Sequence, residues 1–145
     1  MGKEIIRDTR EYLNQIQRYD KIIQNKQEEI DYLHSLATSL GSFSYGEKVQ
    51  SSGSQDKMGD LVSKIVDLQV ELIDIRQKYL DKRTEVIRSI DAVTNPVLYD
   101  ILFKKYVKGK SLDVIADNIG YSYQRTKELH LQAIATVKKN ENFDS

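Results

Sequence analysis

The chain has no cysteine, so a disulfide framework and a thiolate metal site are both excluded. Its only histidines, His34 and His130, lie in different segments and have no spacing typical of a zinc site. No apolar run approaches the roughly 20 residues that span a bilayer, and no signal-peptide pattern opens the sequence. The expectation is a cytoplasmic protein that does not enter a membrane. Formal net charge is zero, which argues against coating nucleic acid by charge alone. A nucleophile elbow, a Walker loop and a His-Glu-x-x-His pattern are all missing. The Gly/Ser-rich stretch has neither a Lys-Ser/Thr ending nor a preceding strand, so it is no phosphate cradle. No positioned acid, base or metal set is recognisable; the expectation is no enzyme, no cofactor and no metal.

What is present is helical patterning. At 145 residues the chain has room for about one domain, or a small one plus an extension. From Lys3 to Leu40, Thr9, Ile16, Ile23, Ile30 and Ala37 repeat every seven residues. Tyr12, Tyr19, Lys26, Leu33 and Leu40 make the companion row of a heptad seam, which Lys26 interrupts. Glu28, Glu29 and Asp31 read as a solvated face. Residues 41–55, Gly- and Ser-rich, read as a connection, either flexible or folded back through Phe43, Tyr45 and Val49. A second long helix from Asp56 to Val93 carries Leu61, Ile65, Leu68, Leu72, Ile75, Tyr79, Lys82, Val86, Ser89 and Val93 at alternating spacings of four and three. A further row, Val66, Ile73, Leu80 and Ile87, lies about 100° around that helix, with Val62 between the rows. This apolar face is wider than a two-stranded seam needs. It predicts packing against a second copy, most simply as a homodimer, or against the C-terminal part of the chain.

Asn95-Pro96 stops the second helix and caps the next one, Val97 to Val107, with Leu98, Ile101, Leu102 and Tyr106 inward. Lys108-Gly109-Lys110 links it to Ser111, a hydroxyl cap for a short helix bearing Leu112, Ile115, Ala116 and Ile119. Gly120 suits a left-handed helix end, and Ser122 caps a longer helix with Thr126, Leu129, Ala133 and Val137 inward, flanked by Leu131 and Ile134. Two helices across such a turn make a helix-turn-helix. From Asn95 to Asn140, eight Lys and Arg face four carboxylates, about +4, so the rest of the chain is net acidic.

The stretch Ser111 to Lys139 resembles the promoter-reading fourth region of bacterial sigma factors. Ser111, Leu112, Ile115 and Ala116 match its first half; Ser122, Arg125, Ala133, Ile134 and Val137 match its second, and Thr126 replaces the usual Ile or Val. The whole chain resembles small phage and prophage regulator-like proteins with a long helical N-terminus and a sigma-like C-terminus. Val49-Gln50-Ser51-Ser52, Ile65-Val66-Asp67-Leu68 and Lys105-Tyr106 carry that likeness. The expected fold is all-α: a long antiparallel helical hairpin, a coiled-coil stalk, over 1–94, a compact three-helix helix-turn-helix head over 95–140, and a polar tail over 141–145.

The expected function is that of a sequence-specific transcriptional regulator of phage or prophage genes in a bacterial host, reading double-stranded DNA with helix 123–139. Tyr123, Gln124, Arg125, Lys127, Glu128 and Gln132 would face the major groove, Arg125 reading guanine and Gln124 adenine. Ser122 would open that helix, and Lys127, Lys104, Lys105 and Lys110 would sit near phosphates. His130 would touch phosphate or pack on the head. The resemblance also implies RNA polymerase as a partner. The other expectation is a coiled-coil adaptor whose head docks on RNA polymerase or a phage packaging complex.

Overall fold

The computed structural model describes residues 2–44 and 52–138. Among them every regular element is a helix. Helix α1 (Gly2–Leu13) is followed by α2 (Gln15–Ser44). The backbone ladder carries through Asn14, whose N–H bonds Arg10 O at 2.8 Å and whose carbonyl accepts from Arg18 N at 3.0 Å. The two are therefore nearly the single helix that the heptad rows predict. Helix α3 spans Ser52–Asp91 and α4 spans Pro96–Leu102. A π-helical turn, Phe103–Val107, then precedes α5 (Leu112–Ile119) and α6 (Tyr123–Thr136). No helix of the described residues is long and apolar enough to cross a membrane.

The connection expected over 41–55 is helical at both ends, over 41–44 and 52–55. Extending an existing helix adds one bond per residue fixed, which outweighs the low propensity of Gly and Ser. Residues 45–51, which include Tyr45 and Val49, and the tail 141–145 lie outside the described residues, as does the side chain of Phe43.

Packing divides the chain into two compact units, with the divisions inside both long helices. One compact unit joins the described residues up to Asp20 with those from Tyr79 on; the other is Lys21–Lys78. In the first unit the core contains Leu98, Ile101, Leu102, Tyr106, Ile115, Leu129, Ala133, Ile134 and Val137, with Leu112 and Ile119 packed at its edge. Leu13, Ile16, Val86 and Ile90, each fully buried, belong to the same core. The start of the chain thus helps to build what the sequence suggests is a separate head. Tyr12 Oη lies 2.9 Å from Ser89 Oγ, and the Asp20 carboxylate acts on Tyr79, so α1–α2 and α3 run antiparallel within this unit. In the second unit Ile30, Leu33, Ile65 and Leu72 form the buried cluster, with Ile23, Leu61 and Leu68 against it. Lys26, the charged interruption of the heptad row, pairs with Glu71 at 2.9 Å. Of the further row on α3, Val66, Ile73 and Leu80 are exposed, Ile73 by 68%, as are the neighbouring Val62 and Val70, whereas Ile87 packs against the core of the first unit.

Candidate nucleic-acid interface

Asn95 caps α4 as its sequence context predicts, its Oδ1 accepting from Val97 N at 3.0 Å and Leu98 N at 3.2 Å, with Pro96 at the first helical position. The helix continues into a turn of wider pitch, in which Lys108 N donates to Phe103 O at 3.1 Å, five residues back. Such turns insert one residue and are frequent at functional sites. Gln17 Nε2 donates to Tyr106 O (3.2 Å) and Val107 O (3.4 Å), supplying partners for carbonyls at the turn. Gly109 follows at φ +71°, where a Cβ would lie 2.8 Å from Gln17 Oε1. The left-handed conformation favours glycine there, while the close Gln17 amide is the movable end of a flexible side chain.

Ser111 occupies the cap position of α5, but its hydroxyl makes no capping hydrogen bond. Gly120 ends α5 at φ +77°, and Ala116 O accepts from both Gly120 N and Tyr121 N, closing the turn. Ser122 caps α6 through Arg125 N at 3.1 Å. Thr126 is fully buried, and its hydroxyl donates to Ser122 O at 2.8 Å, so this polar residue at a core position is satisfied.

The outward side of α6 holds Tyr123, Gln124, Arg125, Lys127, Glu128 and Gln132, all exposed. They form two flanks. Arg125, Glu128 and Gln132 share one by helical spacing, with Arg125 Nη1 on Glu128 Oε2 at 3.1 Å. Both side chains are about half exposed, so the pair is weak and easily exchanged for another partner. Tyr123, Lys127 and the exposed Leu131 share the other. The remaining cations differ. Lys104 is largely covered and bonds Asp100 at 2.6 Å. Lys110 is half-buried behind the π-turn, its N–H on Lys104 O. Lys105 is half-buried with its Nζ 5.8 Å from the Tyr106 ring centre.

Lys105 and Lys127 meet at a cavity of about 400 Å³ that Arg10 and Asn14 also line. Tyr106 and His130 contribute to its wall. The Tyr106 hydroxyl and His130 Nε2 are 2.6 Å apart, and the rings stack at 5.6 Å. Burial raises the Tyr106 phenol to about 12. Burial lowers His130 to about 4, helped by the charges of Lys105 and Arg10. His130 therefore packs on the core as a neutral imidazole. Arg10 escaped sequence reasoning because nothing local to α1 announces that it lands beside α6.

Family models, curated proteins and solved structures were compared with the chain, and none of them matches.

Proposed function

We propose that the protein is a sequence-specific DNA-binding transcriptional regulator, of phage or prophage genes in a bacterial host, in which α5, the Gly120 turn and α6 act as a helix-turn-helix head. In this reading the paired long helices form a coiled-coil hairpin that carries the head and dimerises, and RNA polymerase is a further partner of the head. The observation that carries it is the outward row of α6, where Tyr123, Gln124, Arg125, Lys127, Glu128 and Gln132 stand exposed on a helix capped by Ser122. Such side chains on a rigid helix suit base edges and phosphates of the major groove. Arg125 lies one turn in, and its fork suits guanine once Glu128 releases it. The adaptor reading is favoured by a different observation, the uncovered apolar stripe Val62, Val66, Val70 and Ile73.

Selection of bound duplexes from a random pool at near-physiological salt separates the two. The expected result is an enriched motif; no enrichment favours the adaptor. On that motif Arg125→Ala is expected to cost about 1–3 kcal/mol and to relax preference at one base position. Lys127→Ala is expected to weaken all duplexes alike and lower the salt slope by about one. Salt titrations on the motif and a scrambled duplex check both. Parent-like binding by both variants would remove α6 as the reading helix.

A further inference from the structure

The cavity beside α6 has a composition that its packing role does not explain. Three cations from three separate segments line it: Arg10 of α1, Lys105 of the π-turn and Lys127 of α6. No carboxylate lines it, and none of the three makes a salt bridge among the described residues. Gathering like charges around a concave, partly desolvated space is unfavourable unless an anion enters it. Neutral donors are also present. Asn14 brings an amide. His130 uses Nε2 on Tyr106, and its other ring nitrogen has no protein partner. Every fully buried side-chain nitrogen and oxygen among the described residues has a partner, so that nitrogen keeps some access to solvent. Leu112 and Leu131 add an apolar wall, suited to an organic group attached to the anion.

We propose that this cavity is a phosphate-binding site, taking either the phosphate of a small phosphorylated molecule or one phosphate of a nucleic-acid backbone. The guanidinium of Arg10 suits two phosphate oxygens at once, and Lys105 and Lys127 supply point charges. The site does not rest on base reading by α6. If phosphate binds here while Arg125→Ala leaves DNA binding unchanged, this site stands and that reading falls.

The test titrates the full-length protein with inorganic phosphate, with pyrophosphate and with a short mixed-sequence duplex. Calorimetry gives affinity, and the His130 imidazole resonances report occupancy of the cavity. Binding of the free phosphates is expected to move the His130 signals and to weaken at least tenfold in Arg10→Gln and in Lys105→Gln, but not in the exposed control Lys138→Gln. A duplex that shows these losses where the free phosphates do not bind assigns the phosphate to a nucleic-acid backbone. The proposal is overturned if none of the three ligands moves the His130 signals, or if both cavity variants bind like the parent. Should a variant fold poorly, the His130 titration of the parent still decides.

Discussion

At 2.6 Å, Tyr106 Oη and His130 Nε2 share a hydrogen bond between two groups that burial holds neutral. Its cost appears at low pH. The unfolded chain takes a proton on His130 near its ordinary value of 6.5, and the folded chain only near 4. Stability from keeping this imidazole neutral is therefore whole above about 6.5, falls across the window down to 4, and is level below it. The loss is roughly 1–3 kcal/mol. The positive charges of Lys105 and Arg10 act on His130 in the same direction as its burial. His130→Gln keeps an amide opposite the Tyr106 hydroxyl and does not titrate. The difference in denaturant midpoint between parent and variant is expected to shrink as pH is lowered from 7 to 4, the carboxylates common to both cancelling out; a difference independent of pH would show that His130 titrates normally.

The long helices were legible because burial follows period. Thr9, Ile16 and Ile30, with Leu33 of the companion row, are buried as the heptad rows require, and so are Ile65, Leu72, Val86 and Ser89 of α3. Cap chemistry was legible where it is local: Asn95, Pro96, Gly120 and Ser122 all act as their residue types suggest. The π-turn was not, because an i+5 bond leaves no compositional mark. Nor was the helical state of 41–44 and 52–55, where propensity opposes the outcome. The exposed stripe on α3 carries its own prediction. Val66 and Ile73 repeat by seven, flanked on one side by Asp67 and by Asp74, the latter paired with Lys78 at 3.0 Å, and on the other by Arg76. Two copies aligned in parallel set an acidic flank against a basic one, whereas an antiparallel pair sets like against like. The expected state is a parallel dimer through Val62, Val66, Val70 and Ile73. The chain lacks cysteine, so Val66→Cys and Ile73→Cys are clean probes. Each alone is expected to crosslink two copies on oxidation, since an antiparallel pair can bring only one of these positions onto itself. Sedimentation of the parent as a monomer at micromolar concentration would remove the dimer.

What a single sequence does not carry is which faces meet. Leu13 falls outside both heptad rows of the first helix, yet it is fully buried in the same core as Ile101, Ile115 and Ile134. Its neighbour Arg10 reaches the cavity beside α6 for the same reason, since α1 packs directly on α6. Periodicity predicts that a face is covered, but the partner depends on contacts distant in sequence, and these leave no periodic signal. The stretch of α5, the Gly120 turn and α6 is therefore legible by its turn and caps, while its core stays incomplete without residues up to Asp20 and from Tyr79 to Thr94. Leu13→Ala should then destabilise this unit by about 2–5 kcal/mol, as much as Ile115→Ala, because both empty the same core. Fragment 95–140 alone lacks Leu13, Ile16, Val86 and Ile90 and leaves the faces they cover open to water. At that size a core without staples is marginal even when whole. The fragment is expected to show no cooperative thermal transition by circular dichroism and weak amide protection at Leu129 and Ala133. A sharp transition in the fragment, with Leu13→Ala costing under half a kilocalorie in the full chain, would mean that the head folds by itself and that α1 merely rests on it.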